Sequence, residues 1–183
     1  MHRACGNWFL IQRIMQGEKI WTEHEIQQGL APVHSVLGKI PDALIESEHG
    51  LTWVEVDNSW KNVAERKKVL TLCQAVIPHH YSIPMFELSP EHFLFRVAIV
   101  SNTASALRSM VGTFVKAFEM GELNELQASA VELHLHVLNP SLIPTQVAQG
   151  NLWLERVMHF EKFSFATSTY TRFCKNGNRE ILQ

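Results

Sequence analysis

The sequence predicts an α/β domain in which a mixed β-sheet is flanked by helices on both faces. Three observations predict it. The apolar run Ala43-Leu44-Ile45 and the alternating run from Thr52 to Asp57 lie either side of the turn-forming Glu48-His49-Gly50, so they read as an antiparallel strand pair. Further strand patterns at 93–100 and 130–138 are separated by a helical pattern, the order that gives parallel neighbours. With 183 residues, 46% of them hydrophobic, the chain can bury a sizeable core in one domain.

The elements follow in order. Trp8, Ile11, Ile14 and Met15 recur at helical spacing, and Gly17 closes that helix. Lys19-Ile20-Trp21 reads as a short strand. Thr22 and Glu25 fit a capping box, which predicts a brief helix through Gln28 before Gly29. Residues 31–40 read as loop leading into the first strand of the pair. In the second strand Trp53, Glu55 and Asp57 share one face, and Val54 and Val56 the other. Ser59 can cap a helix that carries Val63, Leu70, Cys73 and Ile77 on one side and ends before Pro78.

Residues 79–90 read as a proline-containing loop. The run 93–100, broken only by Arg96, predicts a buried strand. Ser101-Asn102 caps the clearest helix, whose stripe is Leu107, Met110, Val111, Phe114, Val115 and Phe118, with Gly121 at its end. In 130–138, Val131, Leu133, Leu135 and Val137 alternate with Glu132, His134 and His136. Residues 153–165 are rich in aromatics and fit neither period. The expected organisation is an α/β domain over 1–140 and a C-terminal extension over 141–183 packed on it.

Charge narrows the function classes. Sixteen basic and 18 acidic residues give a net charge of -2, so the chain lacks the bulk positive charge of a strong nucleic-acid binder. Any DNA contact must be local, and Lys61, Arg66, Lys67 and Lys68 form the one basic cluster. Cys5, Cys73 and Cys174 suit neither a disulfide framework nor a zinc site, and point to a reducing cytoplasm. The apolar run 8–11 is too short for a secretory signal, and no stretch approaches membrane-spanning length. Five tryptophans make a sticky surface, and the aromatic C-terminal third is where a homodimer would form.

The chemistry-bearing residues are the acids of the strand pair. Asp42, at the start of the first strand, would lie near the end of the sheet that carries Glu55 and Asp57. Clustered carboxylates repel unless a cation sits among them, and Mg²⁺ or Mn²⁺ is the usual partner of such oxygens. Lys61, in the first turn of the next helix, could neutralise charge developing on a phosphate. The plainer accounts are a strand-capping turn for Asp42, a solvated strand face for Glu55 and Asp57, and an ordinary surface lysine for Lys61. Glu23 and Glu25 are further ligand candidates, although helix capping explains Glu25 equally well. His134 and His136 have the spacing of a transition-metal pair, but polar residues facing a helix or solvent account for them without a metal.

Pro41-Asp42 followed by Glu55-Val56-Asp57 resembles the PD-(D/E)xK nuclease superfamily. The stretch from Ile40-Pro41-Asp42 through Trp53-Val54-Glu55-Val56-Asp57-Asn58-Ser59-Trp60-Lys61 is similar, more narrowly, to replication-relaxation and mobilisation-associated proteins of plasmids. The likeness spans residues 1–77. It implies a restriction-endonuclease-like core. It also implies Mg²⁺-dependent hydrolysis of DNA, with Asp42, Glu55 and Asp57 as metal ligands and catalytic acids. DNA and replication or mobilisation proteins are the implied partners. Asp57 departs from the pattern, standing where the lysine is expected, and Lys61 is the candidate for a migrated lysine. The alternative is a catalytically inactive nuclease-fold module acting as a protein-interaction or inhibitory factor.

Overall fold

A strand buried on both sides organises the chain. The computed structural model describes residues 2–57, 63–76, 87–89, 92–138, 153–161, 164–173 and 179–182. Strand β3 (Gly50–Val56) pairs antiparallel with β2 (Ala43–Ser47) and parallel with β5 (His92–Ser101). Outside β2 lies β1 (Lys19–Thr22), antiparallel; outside β5 lies β6 (Val131–Leu138), parallel. Beyond β6, β7 (Trp153–Glu161), β8 (Ser164–Phe173) and β9 (Arg179–Leu182) continue the sheet antiparallel, and β4 (Glu87–Ser89) pairs with β5. Among the described residues this is a nine-stranded mixed sheet. The expected extension over 141–183 thus carries strands of the same sheet, and the expected loop over 79–90 contains β4.

Helices cover both faces. On one face α1 (His2–Met15) packs Cys5 and Phe9 against Ala43, Ile45, Val54, Ala98 and Val100. On the other, α3 (Val63–Val76) and α4 (Ala104–Glu119) bring Leu72, Cys73, Leu107, Met110 and Phe114 onto Leu51, Trp53, Val97 and Ile99. Short α2 (Glu23–Gln27) adds Ile26 to that second core. Strands β3 and β5 are apolar on both sides because each is covered twice, which is how a strand with parallel pairing reads in sequence.

Local chemistry explains the boundaries. Thr22 and Glu25 form the expected capping box: the Thr22 N–H donates to Glu25 Oε2 at 2.8 Å and Thr22 Oγ1 accepts from the Glu25 N–H at 3.4 Å. A second box, Asn124 with Gln127, starts α5 (Glu125–Ser129), an element that periodicity does not reveal because it is a single turn and a half. The α4 N-cap is Thr103, while Ser101 Oγ accepts from the Thr103 N–H at 3.0 Å just ahead of the helix.

Two helix faces differ from the expected ones. Ile11, Ile14 and Met15 are exposed, and α1 is buried along Cys5 and Phe9 instead. Gly6 explains the shift: a Cβ there would come within 2.9 Å of Val56 Cγ2, so the helix rests on β3 at its glycine. On α3, Val63 is exposed while Val69 and Leu72 join Leu70 and Cys73 in the core. Ser59 and Ile77 lie outside the described residues.

Candidate functional site

Asp42 follows Pro41 just ahead of β2, and its two backbone groups have different partners. Its N–H donates to the Val54 carbonyl at 3.1 Å, but its own carbonyl accepts from the Glu23 N–H at the start of α2. The carboxylate takes over the ladder instead, with Oδ2 accepting from the Val56 N–H at 2.6 Å. Asp42 is therefore a half-buried structural acceptor that closes the β2–β3 pair. It borders a cleft of about 340 Å³ with Asn7, Glu23, His24, Ala43 and Val56, on the side of the sheet covered by α1. Glu23 Oε1 accepts from Gln27 Nε2 at 3.0 Å, and Glu25 is held in the capping box, where the Thr22 bonds keep its carboxyl below the usual range.

Glu55 faces the other way. It shares its strand face with Trp53, whose ring lies in the core under α3, and it sits near enough to Cys73 for its charge to disfavour the thiolate there. Both carboxylate oxygens are engaged: Trp53 Nε1–H donates to Oε1 at 2.6 Å, and Lys39 Nζ lies 2.8 Å from Oε2. The side chain is only 3% exposed. A tight reversal delivers Lys39. Val36 and Lys39 exchange backbone hydrogen bonds at 2.9 Å in both directions, with Leu37 (φ 52°) and Gly38 (φ 74°) between them. Positive φ at both central residues is the signature of a type I′ hairpin turn. Sequence reasoning missed Lys39, since residues 31–40 read as loop. The Leu37-Gly38 pair with Val36 before it was the available signal.

Asp57 follows β3, is buried, and donates its backbone N–H to the Val100 carbonyl at 2.7 Å. Lys61 lies outside the described residues. The rest of the basic cluster is on α3: Lys67 is exposed, Lys68 pairs with Glu65 at 2.7 Å, and Arg66 Nε donates to Thr113 Oγ1 on α4 at 3.0 Å.

The polar side of β6 is not a wet face. Glu132, His134 and His136 are buried beneath α1. Glu132 carries Arg96 at 3.0 Å, Arg13 at 3.9 Å and His134 Nε2 at 3.1 Å, while Phe9 lies against both imidazoles at centroid distances of 4.8 and 5.9 Å. Here a charged network ties α1 to β5 and β6, which is a packing role.

Asp42 and Glu55 as arranged do not converge on one Mg²⁺ site. Asp42 serves a backbone N–H beside the α1 cleft, and Glu55 serves Trp53 and Lys39 on the opposite face. Among the described residues no group of three or more His, Cys, Asp or Glu side chains is arranged to hold a metal ion. No helix among them is long and apolar enough to cross a membrane. The chain matches no protein-family model and no curated protein.

Proposed function

We propose that this chain is a nuclease-fold DNA-binding module of plasmid or mobile-element replication or mobilisation, and that it binds DNA without cutting it. One observation carries the second half of that reading: the ion pair between the buried Glu55 and the partly exposed Lys39. A metal-ligating carboxylate must turn an oxygen toward the ion. Glu55 has one oxygen on the Trp53 indole and the other on Lys39. Turning it toward an ion would leave the buried Trp53 indole N–H without its acceptor, at a cost of about 1–3 kcal/mol. Asp42 likewise holds the β3 ladder in place of a backbone carbonyl. Both acids thus have structural duties, and Mg²⁺ has no step in this reading.

Two observations support the DNA-binding half. The order α1-β1-α2-β2-β3-α3-β4-β5, with the antiparallel β2–β3 hairpin followed by the parallel strand β5, is compatible with the core implied by the resemblance. Three of the sixteen basic residues, Arg66, Lys67 and Lys68, stand in a row on α3. Fluorescence anisotropy of a labelled duplex tests this. Binding is expected in EDTA, and it should weaken as salt is raised, because phosphate contacts release counterions. Binding that requires Mg²⁺ would contradict the metal-independent reading. No binding to any DNA form would favour a protein-interaction or inhibitory factor instead.

A further inference from the structure

Helices α3 and α4 leave a groove of about 440 Å³ between them. Among the described residues its polar lining is Arg66 and Lys67 from α3 and Ser109, Thr113 and Lys116 from α4 around Gly112, and the exposed apolar side chains of Val63 and Met120 line it as well. The α4 positions recur at three- and four-residue spacing, so they form one face of that helix. Lys67 and Lys116 are exposed, and among the described residues no carboxylate is within ion-pair distance of either. Glu122 also borders the groove, and its carbonyl accepts from Gln74 Nε2 at 2.8 Å. The groove is therefore net positive on a chain whose overall charge is -2.

Gly112 is the second observation. Glycine inside a helix is destabilising relative to alanine, so its presence needs a reason. Packing supplies none, because a Cβ at Gly112 would meet nothing within 4 Å. Backbone conformation supplies none either, since Gly112 is not among the glycines of positive φ. What the glycine does is keep the floor of the groove bare between Ser109, Thr113 and Lys116. Thr113 contributes a further constraint. Its hydroxyl donates to the Ser109 carbonyl at 3.0 Å and accepts from Arg66 Nε, which holds the guanidinium across the groove.

We propose that this α3–α4 groove is the site that grips the DNA phosphodiester backbone, with Lys67 and Lys116 on its two walls, Arg66 fixed between them and Gly112 admitting the chain to the floor. The inference rests on the DNA-binding reading and says where the contact is made. Arginine, lysine and small hydroxyl side chains around an open floor are the donor set that phosphate oxygens use. Such contacts carry no base preference, so the groove fixes register on DNA rather than sequence.

The test is anisotropy with a labelled duplex of mixed sequence, using the parent chain, Lys116→Glu, Gly112→Ala and, as a distant charge control, Lys19→Glu. Lys116→Glu should weaken binding about tenfold and flatten the salt dependence, because a phosphate contact is lost. Gly112→Ala should weaken binding while raising the melting temperature, an outcome that damage to the fold cannot produce. Lys19→Glu should leave affinity within about twofold of the parent, as expected for a residue away from the contact. If the parent binds and both groove variants bind equally well, the groove is wrong and the DNA-binding reading survives. If the parent does not bind, both fall. Polyglutamate that binds the parent more tightly than DNA at equal charge concentration, and loses that affinity in Lys116→Glu, would overturn the assignment in favour of an acidic protein segment.

Discussion

Lys39 and Glu55 meet at 2.8 Å on the α3 side of the sheet, one from the end of a two-residue turn and the other from a strand covered on both faces. The lysine remains 27% exposed while the glutamate is 3% exposed, so the pair reaches from solvent into the core. The Trp53 indole satisfies the other carboxylate oxygen. This arrangement makes Glu55 a fixed part of the core, and it can be tested residue by residue.

Lys39→Met should cost about 3 kcal/mol in urea denaturation, because it leaves a buried carboxylate without its counter-charge. Lys39→Met combined with Glu55→Leu should recover only part of that loss, since the apolar pair removes the orphaned charge but leaves the buried Trp53 indole N–H without its acceptor. A single-variant loss under about 0.5 kcal/mol would mean that the pair behaves as a surface ion pair.

Leu37→Asn should stabilise the chain by about 1 kcal/mol, because Asn-Gly tolerates the left-handed conformation that a leucine resists. Leu37 has φ 52° and is 67% exposed, so little packing is lost in the exchange. Thermal melting checks it. A lower midpoint would show that the leucine side chain is needed where it stands.

Phe9→Ala should destabilise by about 3–5 kcal/mol, because it empties the space between α1 and the buried imidazoles. Ile14→Ala, on the exposed side of the same helix, should stay within about 0.5 kcal/mol of the parent. Equal losses at the two positions would contradict the orientation of α1 set by Gly6 against Val56.

The thiols predict an alkaline limit. Burial pushes the Cys5 thiol from an ordinary 9.0 up to about 12. It raises Cys73 further still, with the Glu55 charge adding to the effect. The folded chain then holds protons that the unfolded chain releases. The stability this represents is complete below the unfolded value and is lost as pH rises through the folded one. Stability should therefore fall from pH 9.0 toward pH 12. In a Cys174→Ser variant, Ellman's reagent at pH 8 should react only after denaturant is added. Rapid labelling of the native chain would contradict the burial of Cys5 and Cys73.

The hairpin of β2 and β3 was legible because alternation, a turn and flanking breakers coincide over a short stretch. The capping box at Thr22 and Glu25 was legible for the same local reason. The inward face of α1 was not, because it depends on where Gly6 lets the helix touch Val56, which is a tertiary fact. Nor was the destination of Glu55. Alternation separates the two faces of a strand but cannot say which is wet, and β3 is covered on both. Lys39 was hidden because its partner lies across a turn and a strand. The polar face of β6 reads as facing a helix or solvent, and only the position of α1 over it, with Arg13 and Arg96 neutralising Glu132, decides between the two. The strands β7 and β8 pair in the same sheet although their aromatic-rich sequence follows no clean period.

The most direct test of the central claim is a nicking assay on supercoiled plasmid with Mg²⁺ or Mn²⁺, with the parent chain, Asp42→Ala and Glu55→Gln run side by side and plasmid binding confirmed for the parent. A chain whose acids hold its strands should bind the plasmid and leave it supercoiled in every lane. Metal-dependent nicking by the parent that disappears in both Asp42→Ala and Glu55→Gln would contradict the account and make those carboxylates catalytic.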